Sequence, residues 1–233
     1  MIFKKIKYAI YMINLRLKGF TYSKILKRDG FDAASYYVKD TARAWSKYTL
    51  DMVGIKVDVH GLENIPSQPC VFIGNHSSIL DIPLILHTVD KRIGFIAKKE
   101  LSDTPVIGYW INRSGSVFID RENPKEAIKA INKGVENIKN GYSMAIFPEG
   151  TRAKNGTVGE FKKGSLKLAT KSKVPIVPVS IDRASRAYED SGKFTPTNIR
   201  VVYGEPIYTD SISKEEERTL MDKVRSIIIE NLG

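Results

Sequence analysis

The chain alternates short apolar runs with longer stretches in which apolar residues recur every three or four positions. From residue 55 onward the runs predict strands at 55–60, 70–75, 93–97, 116–120, 144–148, 176–181 and 199–204. The spaced stretches predict helices at 79–89, 104–111, 124–140, 165–172 and 213–231. Residues 125–140 carry one apolar face, made of Ala127, Ile128, Ile131, Val135 and Ile138. Pro124 suits its first turn and Gly141 its stop. The last helix sets Leu220, Val224, Ile227 and Ile228 among many charges, which places it on the outside. Such alternation predicts an α/β domain over residues 55–233: a mostly parallel mixed sheet flanked by helices.

Residues 1–54 follow another pattern and predict an appended two-helix membrane-association element. On a helix turning about 100° per residue, Ile2, Phe3, Ile6, Ala9, Ile10, Ile13, Leu17 and Phe20 share an arc of about 120°. Lys4 and Lys18 fall on the far side, and Lys5, Lys7 and Arg16 flank the borders. Apolar and basic faces arranged in this way suit a helix lying in a membrane interface. Tyr8, Tyr11 and Phe20 suit the headgroup boundary. The alternative is that the apolar arc packs on the domain core. A second helix, 31–53, has its own stripe of Ala34, Tyr37, Thr41, Trp45, Tyr48 and Met52 and can pair with the first. Tyr8–Leu15 is the longest uncharged run of the first helix, well short of the roughly twenty residues a span requires. The same interrupting charges argue against a signal peptide.

Charge sharpens this picture. Of the net +11, eight charges precede Asp29, so the basic character belongs mainly to the first helix. Its expected partner is an anionic membrane surface, with the protein peripheral or monotopic on the cytoplasmic face of the cell membrane. No nucleic-acid recognition motif accompanies the charge, and the interleaved apolar face fits lipid better. The length of 233 residues and 42% hydrophobic content suit one α/β domain. Cys70 is the single cysteine, so no internal disulfide forms; its place in an apolar run predicts a packing role. No residue spacing argues for a metal site.

The candidate chemistry sits where strands end, the usual place for sites in such sheets. The run Asn75-His76-Ser77-Ser78-Ile79-Leu80-Asp81 follows the apolar Cys70–Ile73. Neutral imidazole takes a proton near neutral pH, and a carboxylate fixes its tautomer and stabilises the imidazolium. On one continuous helix, five residues would turn the two side chains apart. The pair therefore requires His76 in a loop and Asp81 in the first helical turn, with Ser77 or Ser78 as caps and Pro83 near the start. His60, on a polar strand face, and His87, after Leu84–Leu86, read as structural. Three further strand ends supply charge: Lys98 and Lys99; Asp120 and Arg121; Glu149, Gly150, Thr151 and Arg152. Guanidinium forks match phosphate bidentately, and Lys offers a point charge.

Four ordered blocks carry a resemblance: Asn75–Asp81, Gly115–Arg121, Phe147–Arg152 and Val174–Val179. Over roughly residues 55–205 the chain resembles the glycerolipid acyltransferases, in particular those acting on 1-acyl-glycerol-3-phosphate. The resemblance implies phospholipid biosynthesis: a fatty acyl group moves from a thioester to the sn-2 hydroxyl of lysophosphatidic acid, forming phosphatidic acid. It implies His76 as general base and Asp81 as its orienting partner. Arg121, Arg152 and Lys98 are expected to hold the phosphate. Glu149 and Gly150, followed by Thr151, are expected to position the acceptor, and Phe118 to line its site. No cofactor is implied; the thioester, on coenzyme A or acyl carrier protein, is a co-substrate. An oxyanion donor is expected from a backbone N–H near Gly150 or at the helix start after Ser78. The alternatives are an acyltransferase for glycerol-3-phosphate or another lysophospholipid, and a non-catalytic lipid-surface binding protein.

Overall fold

Apolar runs with both faces buried are what a parallel sheet between helical layers demands. In the computed structural model, which describes residues 2–120, 123–153 and 157–232, the seven runs form one seven-stranded sheet. The strands are β1 (Lys56–His60), β2 (Val71–Gly74), β3 (Ile93–Lys98), β4 (Val117–Ile119), β5 (Ser143–Ile146), β6 (Ile176–Asp182) and β7 (Asn198–Tyr203). Their spatial order is β1-β7-β6-β2-β5-β3-β4. All neighbouring pairs are parallel except β6 with β7. The helices are α1 (Ile2–Val53), α2 (Asp81–Thr88), α3 (Ile107–Ile111), α4 (Pro124–Lys139), α5 (Lys167–Ser172) and α6 (Lys214–Glu230). The mixed α/β architecture predicted from the apolar pattern is the one observed.

Alternation along each strand sends successive side chains to opposite layers. Phe72, Ala145, Val177 and Val179 pack with Leu84, Ile85, Leu50 and Val53, under α2 and the end of α1. Val71, Ile73, Met144, Ile146 and Ile176 pack with Ala130, Leu168, Leu220 and Val224, under α4, α5 and α6. Asn123 caps α4, its side chain accepting from the N–H groups of Lys125 and Glu126. Ser213 and Glu216 close a reciprocal capping box on α6.

The first helix carries two apolar stripes, and only one faces the protein. Gly30, at φ 85°, breaks α1 into two arms that fold back on each other. Tyr11 stacks on Tyr48 with ring centroids 3.7 Å apart. Tyr8 accepts a hydrogen bond from the Trp45 indole and shares another with Thr49. Leu15 is buried with Val38 and Trp110. Tyr8 and Tyr11 are thus committed to the helix contact, not to a headgroup boundary. At about 100° per residue, Tyr8, Tyr11, Met12 and Leu15 lie roughly opposite the arc of Ile2, Phe3, Ile6, Ile10, Ile13, Leu17 and Phe20. That arc faces away from the core, its members ranging from 51% exposed to 83% for Phe3. Lys4 also has a structural partner, donating to the Met52 carbonyl in the last turn of the second arm. No helix among the described residues is long and apolar enough to cross a membrane.

Candidate active site

Parallel strands β2, β5, β3 and β4 are consecutive neighbours, so the loops leaving their carboxyl ends share one edge of the sheet. The β2 loop carries His76, and α2 begins at Asp81. His76 Nδ1 lies 2.8 Å from Asp81 Oδ2. Because a carboxylate only accepts, Nδ1 carries the proton in this contact, and in the neutral imidazole the lone pair is then at Nε2. The same Oδ2 accepts from the N–H groups of Ser77 and Ser78, each at 2.8 Å. Asp81 is fully buried, and its Oδ1 has no hydrogen-bond partner among the described residues. The serines do not cap α2 as the sequence suggests. The first helical residue instead reaches back to cap their N–H groups, and Ser78 Oγ accepts from Leu80 N–H.

The β5 loop locks the other side of His76. Glu149 Oε1 accepts from the His76 N–H at 2.8 Å, and its Oε2 accepts from the Gly159 N–H at 3.0 Å. Burial pushes the Glu149 carboxyl above its usual range, against the pull of those two N–H donors. Ala153 N–H donates to the His76 carbonyl at 2.7 Å. Phe147 lies flat on the imidazole, with centroids 4.3 Å apart and planes inclined by 13°. The His76 backbone is held at its N–H and carbonyl, the ring at Nδ1 and on one face, and the side chain remains 18% exposed. This arrangement can take a proton at Nε2 from a bound hydroxyl and return it later.

A family model described as acyltransferase matches residues 56–182, which contain this whole constellation. The chain belongs to the acyltransferase family. It is 36% identical over 196 residues to the 1-acyl-sn-glycerol-3-phosphate acyltransferase of Saccharomyces cerevisiae, covering 82% of this chain and 65% of that protein. It is 36% identical over 189 residues to the chloroplastic enzyme BAT2 of Brassica napus, covering 76% of this chain and 51% of that protein. The chain thus spans about two thirds and half of those relatives. The crystal structure of the 1-acyl-sn-glycerophosphate (LPA) acyltransferase PlsC from Thermotoga maritima superposes with a TM-score of 0.75 at 31% identity. That likeness covers 96% of this chain and 95% of the other.

Within this family member, the structure gathers some predicted site residues and separates others. His76, Asp81, Glu149, Gly150, Thr151 and Arg152 lie on two loops that touch. Each Glu149 oxygen accepts from a backbone donor, so the side chain braces the His76 loop. Gly150 holds φ +74° in the turn, and its N–H donates to the Phe147 carbonyl. The N–H groups of Gly150, Ser77, Ser78 and Ile79 are all engaged, so none of these suggested oxyanion donors is open. Lys98 ends β3, two strands from β2, with its ammonium 2.9 Å from Glu100. Phe118 lies on β4, one strand further, paired with Ala97. Arg121 lies outside the described residues. Cys70 is fully buried and its thiol is pushed up to about 11, as a packing role requires.

Two residues escape the sequence blocks. A methyl group at Gly150 would sit 3.1 Å from Lys162 Nζ, so a lysine ammonium covers the turn beside His76. The basic Phe161-Lys162-Lys163 run was its only signal. Glu189, in the loop after β6, accepts from both Ile79 N–H and Arg152. It lacks any motif of its own.

Proposed function

We propose that this chain transfers a fatty acyl group from an acyl thioester to the sn-2 hydroxyl of 1-acyl-glycerol-3-phosphate, giving phosphatidic acid. The observation that carries this reading is the His76–Asp81 contact, in which Nδ1 donates, so that the neutral imidazole has its lone pair at Nε2. Nε2 takes the hydroxyl proton as the acceptor oxygen attacks the thioester carbonyl. The new C–O bond forms, the C–S bond breaks, and the thiolate leaving group takes the proton from the imidazolium. Asp81 stabilises the cation that forms in between. No acyl-enzyme is needed, because the acceptor alcohol is itself the nucleophile. Arg152 meets the acceptor phosphate with its planar fork, on the loop that also braces His76. Lys98 and Lys162 add positive charge from neighbouring loops. The donor is acyl-CoA or acyl-acyl carrier protein.

The exposed arc of the first helix lies in the membrane interface in this reading. Its basic neighbours Lys5 and Lys7 meet anionic headgroups, each adding about 1 kcal/mol. Such charge favours the cytoplasmic leaflet, with the protein peripheral. The names of the yeast and Thermotoga relatives support the choice of 1-acyl-glycerol-3-phosphate over glycerol-3-phosphate. The decisive experiment supplies lysophosphatidic acid with each thioester and identifies the product by mass, with glycerol-3-phosphate as a competing acceptor. Thiol release coupled to phosphatidic acid is expected. Acylation of glycerol-3-phosphate alone, or no thiol release, would remove the assignment.

A further inference from the structure

Glu189 lies beyond the residues matched by the family model, yet it reaches into the site from a third loop. Its Oε1 accepts from the Ile79 N–H at 2.8 Å, between His76 and Asp81 in sequence. The same oxygen accepts from Arg152 Nη1 at 2.8 Å. One carboxylate oxygen thus joins the loops that follow β2, β5 and β6. The pair takes Nη1 alone, and the Arg152 side chain remains 44% exposed. Among the described residues, the donors on Nη2 and Nε have no hydrogen-bond partner and can serve a ligand. Glu189 Oε2 is buried without a hydrogen-bond partner among the described residues. A buried, unpaired carboxylate oxygen costs stability, which offsets part of what the two Oε1 hydrogen bonds contribute.

We propose that Glu189 is a positioning residue for the acceptor phosphate. It holds the Arg152 guanidinium against the His76 loop, with the remaining fork turned to the phosphate. It rests on the assignment of Arg152 as phosphate ligand made above. A free arginine must give up rotamer freedom when it grips an anion; a tethered one has already done so. The opposite role is competition, in which the Glu189 charge occupies Arg152 and repels phosphate. The two roles predict opposite signs.

The test measures KM for lysophosphatidic acid, kcat and melting temperature in detergent-dispersed assays of the full chain. Glu189→Ala should raise KM about five- to tenfold with kcat within about twofold, because water can serve the exposed Ile79 N–H. Glu189→Gln keeps an acceptor oxygen at the same place and should recover most of the loss in KM, even where the amide at the buried Oε2 position lowers the melting temperature. In an Arg152→Ala background, Glu189→Ala should add nothing to KM. An unchanged or lowered KM in the alanine variant, or an equal increment in both backgrounds, would overturn the proposal. Equilibrium binding of lysophosphatidic acid, with monoacylglycerol as the phosphate-free control, separates this from the function itself. A wild type that binds but does not turn over refutes acyl transfer and still tests Glu189. A wild type that binds neither lipid sinks both.

Discussion

The His76 imidazole lies flat against the Phe147 ring, 4.3 Å between centroids and 13° between planes. Asp81 fixes the imidazole at one nitrogen, but one hydrogen bond leaves the ring free to rock about it. Phe147 supplies the wall that stops that motion. Phe147→Ala should therefore lower kcat about tenfold, equivalent to about 1.4 kcal/mol in the barrier. Phe147→Tyr, which keeps the flat face, should stay near wild type. Steady-state kinetics on protein verified as folded by circular dichroism decides it. An alanine variant with full turnover would show that Asp81 alone positions the base.

Asp81 Oδ2 collects three donors, His76 Nδ1 and the N–H groups of Ser77 and Ser78. Asp81→Asn can keep one oxygen at that position, but it removes the charge that stabilises the imidazolium. It also places an amide N–H₂ where Oδ1 now lies buried without a partner. We expect kcat to fall by about 10²–10⁴-fold with KM for the acceptor little changed. His76→Ala should fall at least as far. Turnover within a few-fold of wild type in either variant would remove the pair from the chemistry.

The strands were legible because buried parallel strands read as continuous apolar runs such as Cys70–Ile73 and Met144–Phe147. Their order was not, since alternation records which face is buried and not which strand lies alongside. The antiparallel turn of β7 against β6 had no local signal for the same reason. His76 and Asp81 were legible because loop-then-helix geometry is a local property. Glu149 was read for its charge, yet its partners are backbone N–H groups of His76 and Gly159, which carry no sequence signature. In the first helix the periodicity picked out the stronger apolar stripe. The weaker one, Tyr8, Tyr11 and Leu15, meets the protein, because stacking on Tyr48 and a hydrogen bond from the Trp45 indole decide the contact.

Glu149 predicts a pH dependence of stability. Burial raises its carboxyl from the ordinary 4.5, so the folded protein holds this proton more tightly than the unfolded chain. The stability it contributes is then complete below about pH 4.5 and is lost as pH rises through the folded value. Glu149→Gln does not titrate. It forfeits one of two buried acceptors, at a cost of about 1–3 kcal/mol that is common to all pH values. The melting temperature of wild type minus variant should therefore shrink as pH is raised from about 4 to 7. A difference that stays flat or grows over that range contradicts the assigned burial.

The exposed arc of the first helix can be tested without disturbing the fold. Deleting the helix would uncover Tyr48, Trp45 and Trp110, whose partners Tyr8, Tyr11 and Leu15 lie on it. Ile6, Ile10 and Ile13 instead face outward, each at least half exposed. Full burial of one such side chain in an apolar medium is worth about 1.5–3 kcal/mol. Combining Ile6→Ser, Ile10→Ser and Ile13→Ser should weaken partition onto anionic vesicles by at least about tenfold, even if each inserts only partway. Melting temperature and turnover of detergent-dispersed substrate should stay near wild type, since none of the three packs on the core. Tyr11→Ser should behave oppositely, destabilising the fold while leaving the outward face intact. Cosedimentation with anionic vesicles measures the first effect and calorimetry the second. Undiminished sedimentation of the triple variant would mean that the arc does not meet the bilayer, and would leave its exposed isoleucines without a function.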